Sequence, residues 1–322
     1  MPEAVAPSLG VILATDRYET IRPVIRHLQR QTIRDQLEIV MIGEGSLAAE
    51  IDAAELAGFA RVHVETVASL DPVSAARAAG VRAAQAPLVF IGETHTYAHP
   101  TWAEALVSAR ADGMAGLIPG FGNANPTGPL SWAIFLLDYG RWLYLMPARE
   151  SDIAPTHNGA FLREVLLGLG EDLDHALHQG DQLTRLLQSA NHRLYFEPSA
   201  RIDHLNTGRW RPWVRERFLG GRLLAGRRAA RWSWVRRLTY VCGAPIIPVL
   251  LAVRLRQALA VARQAGVLPR GTLAALLLGG CISALGEVVG YLMGDRPDVE
   301  PEMMEYELHK VRYAARRAPA TG

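Results

Sequence analysis

The sequence predicts an α/β fold in which helices flank a mainly parallel sheet, followed by a helical C-terminal region. Up to about residue 205, short apolar segments alternate with amphipathic segments of helical periodicity. This alternation is typical of strand–helix–strand units with right-handed crossovers. Beyond that point the chain becomes basic and aromatic, and then apolar. We therefore divide the 322 residues into a domain of residues 1–205 and a region of residues 206–322, with a polar tail from about residue 295.

Four strands with their helices are predicted in regular order in the first domain. The predicted strands are residues 9–14, 37–42, 61–67 and 88–91, and the helices that follow them are residues 19–31, 47–56, 72–86 and a helix beginning at Trp102. The apolar positions of the first helix recur at helical spacing, which supports that assignment. Ligands of open α/β sheets bind outside the carboxyl ends of the strands, so the segments after these strands are the candidate site.

The second half of the domain is less regular. Residues 113–128 are rich in glycine, proline and asparagine, which predicts a loop-rich crossing over the sheet. Residues 131–146 are aromatic and apolar, which favours a helix in the core, with a wall facing a sugar or a lipid as the alternative. Helices over residues 163–169 and 182–189 and a last strand over residues 193–197 complete the predicted domain.

Polar residues follow three of the predicted strands. Thr15 and Asp16 follow the first, Glu44 lies in the turn after the second, and Glu93-Thr94-His95 follows the fourth. An acid and an imidazole two residues apart at a strand end can share a metal ion or a phosphate group. A polar turn that binds no ligand is the alternative for this segment.

The order of these pieces resembles family 2 glycosyltransferases of the GT-A (Rossmann-like) fold. The resemblance lies in the first apolar strand, the acid-bearing turn after the second strand, the Ala-Ala-Arg helix and the acidic turn before a Pro-x-Trp helix. Residues 180–204, GDQLTRLLQSANHRLYFEPSARIDH, are similar to the acid–helix–strand–Pro–His ending of that family. The similarity covers about residues 8–205 and implies a nucleotide-sugar donor and transfer with inversion.

The resemblance also implies roles for residues that would bind the donor. Thr15 and Asp16 stand where the first strand of the family meets the nucleotide. Glu44 matches the second acid of an Asp-Asp-Gly-Ser turn that holds the base or the ribose, and Gly43 replaces the first acid. Arg77 matches the arginine of the helix Ala-Arg-Asn-x-Gly in that family.

A divalent metal ion is implied at Glu93-Thr94-His95, which stands at the Asp-x-Asp position of the family. Its acids bind the metal that carries the donor diphosphate, and His204 matches a histidine that completes the metal site in some relatives. Glu93, His95 and His204 favour Mn²⁺ over Mg²⁺ because imidazole is the softer ligand. Thr94 leaves the segment with less negative charge than Asp-x-Asp. Two alternatives therefore stay open: neutralisation of the diphosphate by a protonated His95 or an arginine without metal, and binding without transfer.

Asp181 is the best match to the catalytic base of the family. Glycosyl transfer requires neutralisation of charge on the departing diphosphate and removal of a proton from the attacking hydroxyl. One carboxylate on the opposite side of the sugar meets the second requirement, with Asp174 and Asp172 as further candidates. The alternative role for Asp181 is a helix N-cap, and the alternative for His204 is a hydrogen-bonded histidine at a strand end.

The region from residue 206 onward has the composition of a membrane-associated segment. Fifteen arginines but only two acids, Asp203 and Glu216, lie between Arg201 and Arg270. Tryptophans interleaved with arginines are typical of a helix in the lipid headgroup layer. Nucleic-acid binding is the competing interpretation, but two apolar segments, residues 238–253 and 271–294, argue against it.

The second apolar segment is long enough to cross a membrane and the first falls short of about 20 residues. A simple hairpin would place four arginines outside, against the positive-inside tendency. We therefore expect segments that lie in or re-enter the cytosolic leaflet, with a soluble helical dimerisation domain as the alternative. Cys242 and Cys281 lie in apolar segments and are predicted to be buried thiols. The N-terminal residues lack the pattern of a signal peptide, so the first domain is expected in the cytosol.

Together these features predict a membrane-associated inverting glycosyltransferase at the cytosolic face of the inner membrane. It would move a sugar from a nucleotide-sugar donor to a lipid-linked or polysaccharide acceptor. One rival is an inactive nucleotide-sugar-binding or scaffold protein with the same fold. The other is a nucleotidyltransferase, which usually has a basic, glycine-rich loop after the first strand. The segment ATDRYET, residues 14–20, offers no such loop.

Overall fold

The structure, a computed structural model, describes residues 6–110, 113–178, 180–294, 296 and 299–314, without the side chains of residues 180 and 181. The chain forms two compact units. The first comprises Met1–Gly122 and Met146–Asp203, and the second comprises Asn123–Leu145 and His204–Gly322.

The described strands form one nine-stranded sheet. Their bounds are β1 Leu9–Ala14, β2 Leu37–Gly43, β3 Arg61–Thr66, β4 Leu88–Gly92, β5 Thr96–Ala98, β6 Met114–Asn123, β7 Arg149–Ser151, β8 Gly159–Leu162 and β9 Arg193–His204. The helices of the first unit are α1 Tyr18–Leu28, α2 Leu47–Glu50, α3 Val73–Ala83, α4 Trp102–Ser108, α6 Arg163–Leu167, α7 Leu173–His178 and α8 Gly180–Ser189. Those of the second are α5 Pro129–Tyr139, α9 Trp210–Arg228, α10 Trp234–Gly243, α11 Ile247–Arg254, α12 Arg256–Gln264, α13 Thr272–Met293, α14 Val299–Leu308 and α15 Lys310–Tyr313.

Parallel strands form one half of the sheet, in the order β3-β2-β1-β4. Every residue of β1, β2 and β4 is buried, as expected for strands covered on both faces. The order continues with β8, β6, β9 and β5, where β8 is antiparallel to β4 and β6. The predicted α/β architecture, with a sheet flanked by helices, is confirmed. Its parallel half aligns the carboxyl ends of four strands along one edge.

The predicted loop over residues 113–128 is wrong. The strand β6 occupies Met114–Asn123, and eight of its ten residues are buried. Glycine is needed here for close packing: a Cβ added at Gly116 would lie 2.6 Å from Cδ1 of Phe161, and one at Gly122 would collide with Asp203. The glycines that suggested a loop therefore mark tight contacts within the sheet.

Two further segments differ from their predicted extents. The helix predicted over residues 47–56 is broken: α2 ends at Glu50, and a 3₁₀ turn covers Ala53–Leu56. The carboxylate of Asp52 accepts a hydrogen bond from the Ala54 amide at 2.9 Å and begins that turn. The last strand runs to His204 instead of residue 197, so the histidine belongs to β9.

Glycines also set the packing of the second unit. A Cβ added at Gly221 on α9 would collide with the carbonyl oxygen of Ser283 on α13. Gly286 and Gly290 share one face of α13, and a Cβ on either would collide with backbone oxygens of α9. The two helices therefore touch backbone to backbone, in the manner of small-xxx-small contacts.

Many apolar side chains of the second unit point outward. Trp234–Arg254 and Thr272–Met293 are, by length and composition, long and apolar enough to cross a membrane, and most of the apolar part of each is not buried. Val235 is 77% exposed and Leu285 62% exposed. Cys242 and Cys281 are also exposed, so their predicted burial is wrong. An apolar sequence does not say which face of a helix the rest of the protein covers.

Candidate active site

The carboxyl edge of the parallel strands brings three of the predicted segments together. Thr15 follows β1, Glu44 follows β2 and Glu93 follows β4, and these strands are neighbours in the order β2-β1-β4. The parallel pairing continues just beyond β1, where the Thr15 amide donates to the carbonyl of Ile42 at 2.9 Å. This shared edge is the position at which α/β sheets bind ligands.

Thr15 and Asp16 are held by short-range hydrogen bonds. The buried Thr15 hydroxyl donates to the carbonyl of Arg17 at 2.8 Å. The Asp16 carboxylate accepts from the hydroxyl of Thr20 at 2.9 Å. These bonds hold the turn that leads from β1 into α1 in one conformation at the carboxyl ends of the strands.

Glu44 and Arg77 occupy different settings. Glu44 is exposed, and its carboxylate accepts from the Leu70 amide at 3.1 Å. Arg77 is half-buried on α3, the helix that packs against β1 and β2. Glu44 thus lies with the strand-end group, whereas Arg77 lies on a covering helix. Their donor-binding roles stay predictions.

Glu93 is a buried carboxylate surrounded by nitrogen and hydroxyl groups. Its side chain is 4% exposed. Nε2 of His95 lies 3.6 Å from one carboxylate oxygen, and Nε2 of His157 lies 3.4 Å from the other. The amide nitrogen of Asn158 donates to Glu93, as does the Thr96 hydroxyl at 3.5 Å. A carboxylate in this setting is oriented from several sides.

His157 and Asn158 were not assigned a role from the sequence. They precede β8, which pairs antiparallel to β4 with Gly159 opposite Ile91, so the two residues lie beside the segment that carries Glu93. Asn158 has a φ of 55°, a conformation that asparagine tolerates better than most residues. An Asn-Gly pair before a short apolar run was the available signal, but only the strand pairing shows that it meets Glu93.

His204 is held by a buried amide network. Nδ1 of His204 lies 2.9 Å from Oδ1 of Asn206. The Asn206 amide nitrogen donates to Asn123 and to the His204 carbonyl, so its oxygen is the atom that faces the imidazole. An amide oxygen only accepts, and Nδ1 therefore carries the proton. In the neutral imidazole this tautomer makes Nε2 the ligand atom, as in metal-ligating histidines whose other nitrogen is hydrogen-bonded.

Glu93, His95 and His204 could together hold a metal ion. One ligand atom from each of these buried residues lies within 4.8 Å of the others. The donor set of one carboxylate oxygen and two imidazole nitrogens suits Mn²⁺ better than Mg²⁺, which prefers oxygen ligands alone. The tautomer of His204 fits this role as well. The predicted ligand set is therefore chemically suited to a transition metal ion.

The predicted catalytic base belongs to the helix α8. Asp181 lies in α8, and its side chain is outside the described part of the structure. Its roles as base and as cap both stay predictions. Of the further candidates, Asp174 accepts from the guanidinium of Arg82 at 2.7 Å on the surface, and Asp172 ends a 3₁₀ turn over Gly170–Asp172.

No family model matches the sequence, and no curated protein matches it. Solved structures are similar in fold. A mannosyltransferase, PcManGT from Pyrobaculum calidifontis, solved with GDP-Man and Mn²⁺, has a TM-score of 0.50 at 16% identity, with coverage of 94% of this chain and 89% of that one. GalNAc-T7, solved with UDP, GalNAc and Mn²⁺, has a TM-score of 0.49 at 15% identity, covering 66% and 46%. TarS of S. aureus has a TM-score of 0.43 at 13% identity, covering 68% and 39%.

These likenesses show the fold. The chain has the fold of the GT-A glycosyltransferases, as its similarity to the mannosyltransferase over nearly the whole of both chains indicates. It spans less than half the length of the GalNAc-T7 and TarS chains.

Proposed function

We propose that this protein is a membrane-associated inverting glycosyltransferase that acts at the cytosolic face of the inner membrane. It moves a sugar from a nucleotide-sugar donor to a lipid-linked or polysaccharide acceptor. The observation that carries the proposal is the buried Glu93, His95 and His204 group in a fold of the GT-A type. Such a group suits a cation that would carry the donor diphosphate.

Three residues would bind the metal ion, and their neighbours would hold them in position. Glu93, His95 and His204 would hold Mn²⁺ or Mg²⁺, which when bound neutralises charge on the departing diphosphate. Asn206 holds His204 in the ligating tautomer, and Asn158 and Thr96 hold the Glu93 carboxylate by hydrogen bonds. These contacts orient the ligand atoms before any donor arrives, so little reorganisation is needed on binding.

The remaining strand-end residues would bind the nucleotide, and an acid would serve the acceptor. Thr15, Asp16, Glu44 and Arg77 are proposed to contact the base, ribose and phosphates. Asp181 is proposed to take the proton from the acceptor hydroxyl as that oxygen attacks the anomeric carbon from the face opposite the diphosphate. Attack from that face inverts the anomeric configuration.

Donor binding is tested by thermal shift with UDP, GDP, ADP, CDP and dTDP, each with and without Mn²⁺. A ligand at one hundred times its Kd stabilises the folded protein by about 2.7 kcal/mol. We expect one base to give that stabilisation, and only with Mn²⁺. Equal stabilisation without metal would favour neutralisation by His95 or an arginine. No stabilisation by any of the five would contradict donor binding.

Turnover is tested with Asp181→Asn, which keeps the size of the side chain and removes the base. General base catalysis contributes typically 10²- to 10⁴-fold, so donor turnover should fall by about that factor. Asp174→Asn is the comparison, because Asp174 is the other candidate acid and a surface residue bound to Arg82. A fall in Asp174→Asn with no fall in Asp181→Asn would assign the base to Asp174. Equal rates in wild type and Asp181→Asn would remove Asp181 from the mechanism.

A nucleotide-sugar-binding protein without turnover is the second candidate. The observation that favours it is Thr94 between Glu93 and His95, which leaves the segment with a single acid. Such a protein would show the Mn²⁺-dependent thermal shift but no hydrolysis or transfer from any nucleotide sugar. A nucleotidyltransferase would instead release diphosphate from a nucleoside triphosphate.

The membrane part of the proposal draws on the second unit. Its two apolar helical stretches and exposed apolar side chains support contact with a bilayer. A helical dimerisation region could bury the same surface, and core helices meet the same criteria of length and composition. Carbonate washing of isolated membranes separates these possibilities: an embedded protein stays in the pellet, and release into the wash contradicts embedding.

A further inference from the structure

The second unit contains a groove of about 740 Å³. This volume lies in the range of ligand pockets, about 300–1,000 Å³. The groove is lined by α9, by the stretch α10–α11 and by α13, together with the end of α5. None of the residues assigned to the donor and the metal is among its lining residues.

Each helix presents one face to the groove. The lining positions of α9 include 217, 220, 221, 224 and 228, and those of α13 are 283, 287 and 291. Intervals of three, four and seven residues lie on one side of an α-helix. Most of the lining side chains from α10–α11 are apolar, among them Ile246, Ile247, Leu250 and Leu251. The groove is therefore built from three helical faces with a largely hydrocarbon wall.

Charged groups interrupt this apolar wall. Arg217, Arg228 and Arg254 line the groove, against two carboxylates, Asp138 and Glu287. Arg217 binds Asp138 through two hydrogen bonds of 3.0 and 3.3 Å, which neutralises both. The balance of the remaining lining charges is positive, because Arg228 and Arg254 face a single acid.

The two remaining arginines differ in setting. Arg228 donates to the hydroxyl of Tyr291 at 3.3 Å, and that hydroxyl donates to Glu287 at 3.0 Å. Arg254 is the last residue of α11 and is exposed. A guanidinium suits planar or phosphate oxygens because it presents several fixed N–H donors. The groove thus combines an apolar wall with donors for an anion.

The groove also opens toward the outward apolar surface. Ile246 and Leu250 line it and are 56% and 46% exposed. Val249 and Val253, on the same helix α11, are exposed beside them. An apolar chain that leaves the groove would therefore meet further apolar side chains on this surface.

We propose that this groove binds the phosphate headgroup and the first part of the chain of a single-chain lipid phosphate. The apolar walls and their exposed continuation match the chain, and Arg228 and Arg254 match the phosphate charge. The role of this lipid as the acceptor rests on the proposed glycosyl transfer. The binding itself does not depend on it.

Gly243 provides a way to fill the groove without disturbing the fold. It lines the groove, its φ of −78° is ordinary for any residue, and an added Cβ would meet no heavy atom within 4 Å. Gly243→Leu should therefore fold normally and place its side chain where the lipid would lie. Arg254→Gln removes a groove charge, and Arg256→Gln is its matched control because Arg256 is exposed and lies outside the lining.

The test is calorimetric titration of the full chain in a non-ionic detergent. The probes are farnesyl phosphate, farnesol (chain without phosphate) and inorganic phosphate (phosphate without chain). Wild type should bind farnesyl phosphate at least about tenfold more tightly than farnesol, which lacks the charge for the arginines, and than inorganic phosphate, which lacks the apolar chain. Gly243→Leu, which occupies the space of the chain, and Arg254→Gln, which removes a charge, should each weaken this binding about tenfold or more. Arg256→Gln should weaken it less than about twofold.

Three outcomes would overturn the proposal. Equal affinity for farnesol would mean an apolar site that ignores the phosphate. Equal affinity for inorganic phosphate would mean a site for free phosphate. Unchanged binding of farnesyl phosphate to Gly243→Leu would place the lipid elsewhere on the apolar surface.

The same preparations separate this proposal from the proposed function. Nucleotide diphosphate binding should be unchanged in Gly243→Leu, which also shows that the variant is folded. A wild type that binds farnesyl phosphate but transfers no sugar keeps the groove and overturns only the transfer. A wild type that glycosylates a glycan but does not bind farnesyl phosphate overturns the groove alone.

Discussion

Two buried glutamates lie at opposite ends of the parallel strands, and different kinds of chemical group surround them. Glu38, near the start of β2, bonds the guanidinium of Arg61 and accepts from the backbone amides of Gln85 and Ala86 at 2.7–3.0 Å. Glu93, just after β4, has two imidazoles, an amide and a hydroxyl around it. The Glu38 carboxylate faces a permanent cation, whereas the Glu93 carboxylate faces groups that include potential metal ligands.

The difference separates a structural carboxylate from a candidate functional one. Burial of a charge is costly unless it is paired and hydrogen-bonded. At Glu38 a guanidinium and two backbone donors meet that requirement within the fold. Around Glu93, a carboxylate oxygen and one ring nitrogen each of His95 and His204 form a set that can coordinate a divalent cation. Burial alone is therefore a weaker guide to function than the chemistry of the neighbours.

The largest effect is expected at a third buried acid, Glu216, which resembles Glu38. Glu216 is 1% exposed and accepts from Nζ of Lys310, itself 3% exposed, at 2.8 Å. Lys310→Met leaves this carboxylate buried without its cation. Unfolding free energy should fall by about 3–5 kcal/mol, measured by urea denaturation. The double variant Lys310→Met/Glu216→Leu should recover most of the loss, and an unchanged midpoint in the single variant would contradict the structural role.

The same pair predicts a pH dependence. Burial disfavours the charged ammonium, but the carboxylates of Glu216 and Glu307 outweigh burial and raise the pKa of Lys310 above its usual value. A raised folded-state pKa means that the stabilisation is fully present below the unfolded pKa of about 10.4 and is lost only as the pH rises through the folded pKa. Lys310→Met should therefore be less stable than wild type by a constant amount from pH 7 to 9.

The next effect concerns Glu93 itself. Glu93→Gln keeps the shape and removes the charge, so donor turnover should fall about 10²- to 10³-fold, or about 2.7–4 kcal/mol in activation free energy. The Mn²⁺-dependent thermal shift should disappear with it. Steady-state rates across a Mn²⁺ titration provide the measurement.

Glu38→Gln is the matched control for that variant. It should cost about 1.5–3 kcal/mol of stability, because a hydrogen-bonded charge is removed, and leave the Mn²⁺-dependent shift intact. If Glu38→Gln abolished the Mn²⁺-dependent shift, or Glu93→Gln preserved it, the assignment of Glu38 as structural and Glu93 as a metal ligand would be wrong.

The smallest effect is expected at Asn206, which contacts His204 and would not touch the metal. Asn206→Ala removes the acceptor that fixes the His204 tautomer, so Mn²⁺ affinity should fall about 10- to 100-fold. Asn206→Asp keeps an acceptor and should lose less. Manganese binding followed by electron paramagnetic resonance distinguishes this role from a merely structural one, which would lower stability without changing affinity in the folded protein.

The sequence by itself determined the parallel half of the sheet and the edge that holds the candidate site. Runs such as Leu9–Ala14 and Leu88–Gly92 are apolar throughout because both faces of the strand are covered. Parallel strands put their carboxyl ends on one edge, so Thr15, Glu44 and Glu93 follow from local pattern plus a topological rule.

Only the tertiary structure decided which side chains meet Glu93 and which surface stays uncovered. His157 reaches it because β8 pairs antiparallel with β4, and Asn206 fixes His204 from two residues beyond β9. Three other features also depend on residues far away in the sequence. They are the close contacts at the glycines of β6, the exposure of the two cysteines and the lining of the groove. The periodicity of a sequence shows which positions of a segment are covered and which are exposed. Which other segment covers them is decided only when the chain folds.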